Sequence, residues 1–247
     1  MHTVTTSTTS DRTRRGLGFR LLTTAICAGG FAGLSGMVAP VAGAQNPIGG
    51  RIELEYYEAA AANGQSPEEF FGQAITPELD AARGGRWQNF AHDQAIYWHP
   101  LVNDAYATQI GGEIRVKWGE TTGPDGGWEH GPLMYPTTRE WSSGESGASD
   151  KVARGNHFEG GTIYSVPDSG TYVTWGLIRT AWQTLGGEHS ALGLPDGDER
   201  TTDSGWIQEF EGGSIQVFHD GMIAVAMNDP GASTLDTGGP VTLDELG

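Results

Sequence analysis

Phe158-Glu159-Gly160-Gly161-Thr162-Ile163-Tyr164 decides the fold, because it returns as Phe210-Glu211-Gly212-Gly213-Ser214-Ile215. A longer-looped form precedes both, running from Trp87-Gln88-Asn89-Phe90 through His92-Asp93-Gln94 to Ile96-Tyr97. Each copy is an aromatic residue, a short turn and an isoleucine. A two-residue Gly-Gly turn closes a tight hairpin because both central residues can take positive φ. That turn pairs Glu159 with Thr162, Phe158 with Ile163, and Phe210 with Ile215. The first copy holds one more residue and keeps Phe90 opposite Ile96. Paired residues share a face, so aromatic and isoleucine enter the core together.

Working outward, Val166-Pro167-Asp168-Ser169-Gly170 carries turn chemistry, and the stretch from His99-Pro100 to Asp104 is its counterpart. A third strand follows, at 106–110 and 171–174. The period then changes. Gly50-x-Ile52 is followed by Tyr56, Gly112-x-Ile114 by Trp118, and Gly176-x-Ile178 by Trp182. The aromatic stands four residues after the isoleucine, one helical turn on the same face. The first of these helices, near 52–62, ends at Asn63-Gly64. Ser66-Pro67-Glu68-Glu69 then reads as N-cap, N1 proline and capping-box glutamate. After each aromatic helix comes a turn: Phe71-Gly72-Gln73-Ala74, Leu133-Met134-Tyr135-Pro136 and Leu192-Gly193-Leu194-Pro195.

The fold class expected is therefore α+β: tandem units of a short antiparallel β-meander plus a short helix, about a curved or closed, propeller-like axis. The units are a half-repeat at 50–84, repeats at 85–140 and 155–199, and a capping hairpin at 205–228 with His219-Asp220-Gly221 as its turn. The Ser/Gly-rich run within 141–150 reads as a surface loop. The acidic tail 229–247 has no aromatic residue and reads as disordered.

Leu133-Met134-Tyr135-Pro136 and Leu192-Gly193-Leu194-Pro195, with Ile96-Tyr97-Trp98-His99-Pro100 and the Phe-x-Gly-Gly-x-Ile hairpins, resemble the LGFP repeat family over about residues 50–220. Leu192-Gly193-Leu194-Pro195 keeps three of the four name-giving residues. The resemblance implies a cell-wall-associating module of mycolic-acid-bearing actinobacteria, where such repeats hold catalytic partners to an arabinogalactan-containing wall. It carries over no catalytic residues.

Arg12, Arg14, Arg15 and Arg20 precede a small-residue apolar stretch at 21–41 and then Ala42-Gly43-Ala44. Basic, apolar, then small-x-small is the layout of a cleaved secretory signal, so residues 1–44 are expected to be removed and the remainder exported. Cys27, the single cysteine, lies inside that segment, which leaves no thiol for a disulfide, a nucleophile or a thiolate metal site. The chain has 14 basic and 31 acidic residues. Without the leader's four arginines and Asp11 it carries about ten and thirty, a net near −20, which disfavours nucleic acid and anionic lipid.

No Gly-x-Ser-x-Gly elbow and no His-Glu-x-x-His is present, so neither catalysis nor a metal or other cofactor is expected. His92 and His99 are seven apart on a hairpin arm and do not share a face. Asp196-Gly197-Asp198-Glu199 lacks calcium-loop spacing and reads as a solvated acidic turn. Sugars stack on exposed rings, which makes Tyr97, Trp98, Trp128 and Tyr164 candidate ligand platforms, with His99 beside them. Glu129-His130 and Glu188-His189 recur before two of the tetrapeptides and are candidates for a polar rim. The partner expected is a cell-wall polysaccharide. The alternatives are a surface that recruits an envelope enzyme, marked by a contiguous apolar patch, and a hydrolase, marked by converging Glu, His and Asp.

Overall fold

The alternation of a strand that buries residues on both sides with a helix that buries one stripe calls for layers of sheet and helix. The computed structural model describes residues 45–229 and 239–246. The expected leader and its cleavage point lie outside the described residues. Among those described, no helix is long and apolar enough to cross a membrane.

Helix α1 (Gly50–Ala62) and the single turn α2 (Pro67–Phe70) come first. Ser66 and Glu69 form the capping box that the sequence predicts. Strands β1 (Leu79–Asp80), β2 (Arg86–Phe90), β3 (Gln94–Trp98) and β4 (Thr108–Gly111) make an antiparallel meander, followed by α3 (Gly112–Glu120). Strands β5 (Trp141–Glu145), β6 (Val152–His157), β7 (Gly161–Val166) and β8 (Gly170–Trp175) repeat it, followed by α4 (Gly176–Thr184). Strands β9 (Arg200–Thr202), β10 (Gly205–Phe210), β11 (Gly213–Phe218) and β12 (Ile223–Met227) repeat it a third time. The expected capping hairpin is thus a full four-stranded sheet. The expected Ser/Gly loop contributes strand β5.

Helices α1, α3 and α4 each begin on a glycine with φ near +50°: Gly50, Gly112 and Gly176 at 58°, 51° and 53°. No neighbouring atom crowds these positions, so the backbone angle alone selects glycine there. The isoleucine and the aromatic one turn later then face inward, and Ile52, Ile114, Ile178, Trp118 and Trp182 are fully buried.

The hairpin register differs from the expectation by two residues. Phe158 meets Gly161, and Ile163 lies opposite Asn156. Likewise Phe210 pairs with Gly213 and Gln208 with Ile215, and Phe90 pairs with Gln94 and Gln88 with Ile96. An even shift keeps every side chain on its face, so Phe158 and Ile163 still enter one core. The cause is close approach, not positive φ. A Cβ on Gly160 would stand 2.2 Å from the carbonyl oxygen of Pro132, and one on Gly212 1.9 Å from that of Ala191. The turn is pressed against the tetrapeptide, and Phe158 and Phe210 bridge to Pro136 and Pro195 there.

One core packs Ile96 and Phe90 with Ile52 and Tyr56 of α1. The opposite face of the same sheet packs Ala95 and Tyr97 with Ile114 and Trp118 of α3, and Ile163 of the second sheet joins them. Tyr164 on the far face of the second sheet joins Ile178 and Trp182 of α4 and Ile215 of the third sheet. Helices therefore lie between consecutive sheets. A propeller packs its sheets directly on one another, and this chain does not; among the described residues no strand pairing closes a barrel.

The tail departs from its expected disorder over residues 239–246. Val241 bridges to Ile223, and Leu243 and Leu246 pack on the third core. It takes its order from the edge of an existing sheet, so its own composition is a poor guide.

Candidate functional site

The tetrapeptide turn is a structural joint. Its second residue has positive φ in all three copies: Gly72 at 69°, Met134 at 56° and Gly193 at 68°. The carbonyl of that residue accepts a hydrogen bond from the aromatic of the preceding helix. Tyr56 Oη donates to Gly72 O at 3.3 Å, Trp118 Nε1 to Met134 O at 3.1 Å and Trp182 Nε1 to Gly193 O at 3.0 Å. A buried phenylalanine would pack in these places but could not donate. The hairpin glutamates close the joint from the other side: Glu159 accepts from the backbone N–H of Tyr135, and Glu211 from that of Leu194.

A second joint is a buried carboxamide two residues before each hairpin aromatic. Gln88 Nε2 donates to Pro47 O and Thr76 O, Asn156 Nδ2 to Gln109 O and Thr138 O, and Gln208 Nε2 to Val173 O and Gly197 O. Each ties the last strand of one unit, or the segment before α1, to the turn of the next.

The residues expected to hold a ligand do not gather into one site. Tyr97 and Tyr164 are 4% and 2% exposed. They occupy equivalent places facing α3 and α4, and cannot be platforms, because the next helix covers the face on which they lie. Burial, with Glu129 beside one and Glu188 beside the other, raises both phenol pKa values. Trp98 is half-buried and donates its indole N–H to Ala105 O. His99 is buried; its Nδ1 accepts from Leu101 N–H and its Nε2 donates to Arg83 O.

The two Glu-His pairs divide their labour. Glu129 is buried while His130 is exposed, 3.6 Å away. Glu188 turns inward and His189 outward, where its Nδ1 meets Glu145 O. Their recurrence is explained by the inner carboxylates beside equivalent buried tyrosines. Trp128 alone of the expected platforms is substantially open, at 48%, and it packs over Gly119.

Clefts run instead beside the helices, at the junctions between units. The first, about 480 Å³, is lined by Glu55, Glu58, Asn103, Tyr106, Arg139 and Trp141 among others. Tyr106 is 58% exposed, and Arg51 sits over its ring. Glu55 is buried and takes a bidentate hold from Arg139, with Nε–Oε1 at 2.8 Å and Nη2–Oε2 at 2.6 Å. Glu55 Oε1 also accepts from Gln109 N–H at 2.9 Å. Burial raises the Glu55 carboxyl pKa, against the lowering effect of Arg139.

The second junction carries the same latch with its charges exchanged. Lys117 stands where Glu55 does and Asp198 where Arg139 does. They form an ion pair, and Asp198 accepts from Val173 N–H at 2.9 Å. Asp196 accepts from Ser169 Oγ–H. The acidic turn expected to be solvated is therefore engaged with the preceding unit. The cleft there, about 540 Å³, is lined by Glu113, Lys117, Glu120, Asp168 and Thr171.

Tyr106 was the omission of the sequence reading. It stands two residues before β4, and its exposure follows from the preceding three residues, Asn103, Asp104 and Ala105, which all take positive φ. The Asn103-Asp104 pair was the available signal, since these residue types tolerate that region best.

No curated protein matches the chain. The LGFP repeat profile matches residues 71–126 and 133–190, so each matched unit runs from a tetrapeptide turn, through the meander and the aromatic helix, towards the next turn. Residues 192–227 repeat the turn and the four strands outside those matches. With these turns, meanders and helices in register, the chain carries two LGFP repeats, at residues 71–126 and 133–190.

Proposed function

We propose that the chain is a non-catalytic binding module of the cell envelope that associates with wall polysaccharide of the arabinogalactan type, outside the cytoplasm. The observation that carries this reading is the first junction cleft. Its lining combines Tyr106, which is exposed, and Trp141 with the carboxylates of Glu58 and Glu140, the Arg139 guanidinium and the Asn103 amide. A sugar needs an apolar face against its C–H groups and mixed donors and acceptors around its hydroxyls, and a cleft of 300–1,000 Å³ is the ordinary size for such a ligand. Recurrence of a cleft at the next junction supports binding along a polymer, since linked weak sites raise the effective concentration of one another. The two LGFP repeats support the envelope as the place.

The test is co-sedimentation of the purified chain with insoluble wall stripped of lipid and protein. Saturable pelleting, competed by soluble arabinogalactan fragments and weakened roughly tenfold, or about 1.4 kcal/mol, by Tyr106→Ala, is the expected result. Protein that stays in the supernatant at low and physiological salt alike would sink this reading and favour recruitment of an envelope enzyme.

A further inference from the structure

The three units place a glutamate four residues after the bridging residue of each tetrapeptide turn: Glu78, Glu140 and Glu199. In the first unit Arg86 holds this carboxylate, with Nε–Oε1 at 2.7 Å. In the second, Arg154 holds it at 2.6 Å. Both arginines occupy the same register position, since Arg86 lies opposite Trp98 and Arg154 opposite Ser165. The third unit has Trp206 there, opposite Val217. The glutamate is kept and the guanidinium is replaced by an indole. Among the described residues Glu199 is in no ion pair, and the Trp175 indole beside it favours its charged form.

Trp206 and Trp175 flank a cleft of about 400 Å³, closed by Leu177, Ile178 and Val217 and containing Glu199. Two tryptophans and three aliphatic side chains line the cleft with one carboxylate. We propose that this cleft binds a small organic ammonium ion, whose charge takes the place of the arginine found in the other two units. Three observations select that chemistry. A carboxylate drawn into an apolar cleft needs a counter-charge, and burial has already raised its pKa. Indole faces attract organic cations through the ring quadrupole, most strongly where water is displaced. The chain's net charge of −17 raises the local concentration of cations of any kind. A hard divalent ion would need several oxygen ligands, and the cleft supplies one carboxylate among indoles and aliphatic groups.

The proposal does not depend on polysaccharide binding. The full chain is titrated with choline and, separately, with its uncharged carbon isostere 3,3-dimethyl-1-butanol, while the indole N–H resonances are followed. Choline is expected to shift the Trp175 and Trp206 signals saturably, with the isostere at least about tenfold weaker. Glu199→Gln, which keeps shape and removes charge, should weaken choline by about tenfold or more. Trp206→Arg, which rebuilds the pair of the other units, should remove the response, with an unchanged melting temperature showing that the variant is folded. An equal response to the isostere, a choline response that survives Glu199→Gln, or no saturable response to choline would each overturn the proposal.

Discussion

His157 occupies the register position that Asn89 holds in the first unit. It packs on Trp141 at 4.9 Å between ring centroids, and its Nδ1 meets Thr162 Oγ1 at 2.9 Å. Burial, then the charge of Arg179, lowers its pKa below the ordinary 6.5, with Glu188 pulling the other way. The folded state therefore takes up this proton at a lower pH than the unfolded state does. Between 6.5 and the depressed value the unfolded chain binds more protons, so stability falls as pH falls through that window. His157→Asn, which copies the first unit, should flatten that part of the curve. Melting temperatures from pH 7.5 to pH 5 would check this; an unchanged slope in the variant would assign the pH dependence to other groups. A tryptophan shows the same economy of place. Trp87 on β2 lies opposite Leu79, whereas in the second unit Trp141 on the edge strand lies opposite Gly155. Either indole packs against the equivalent tyrosine, Trp87 on Tyr97 and Trp141 on Tyr164. Comparing the unit sequences position by position hides that exchange, because the residue moves to the neighbouring strand while its volume stays put.

At the scale of elements, the exchanged latch explains how helix and following turn stay docked. Glu55 is buried, and Arg139 is about a third exposed. Removing the arginine leaves a buried charge without its partner, and with solvent reaching one side the cost should be about 2–3 kcal/mol. Arg139→Asp alone should cost more, through like-charge contact with Glu55 and Glu58. Pairing it with Glu55→Lys imports the arrangement of the second junction and should recover part of that loss. A double-mutant cycle by chemical denaturation measures the coupling; additive effects would show that the two residues do not act as a pair. The helices and turns of this joint were legible in the sequence because glycine, isoleucine and aromatic recur at fixed spacing. The latch was not, because its two halves exchange charge sign between junctions and no single residue type repeats. Tyr97 and Tyr164 proved to be buried for a related reason. Alternation along β3 suggests one wet face, yet Ile96 packs under α1 and Tyr97 under α3. A sheet covered on both sides gives no periodic sign of which aromatic is open.

Across the whole molecule, each sheet except the last is followed by a helix that covers its far side. Stacked arrays take their stability from neighbour contacts, so a terminal unit needs a polar or borrowed cap. Strand β12 has no such helix after it among the described residues. The chain brings Val241 to the edge at Ile223, with Ile223 N–H to Val241 O at 2.7 Å and Val241 N–H to Ile223 O at 2.8 Å. Leu243 and Leu246 then rest on the third core from a short turn capped by Thr242 and Glu245. Both leucines are half-buried, so replacing each by serine should cost about 1 kcal/mol, roughly half the value of a fully buried side chain. The loss should fall unevenly. Amide exchange at β11 and β12 should accelerate in the Leu243→Ser, Leu246→Ser variant, while amides of β2 and β3, two helices away, keep their protection. Uniform acceleration across all three sheets would instead mean that the units unfold as one cooperative block, with coupling between neighbours stronger than the stability of any single unit.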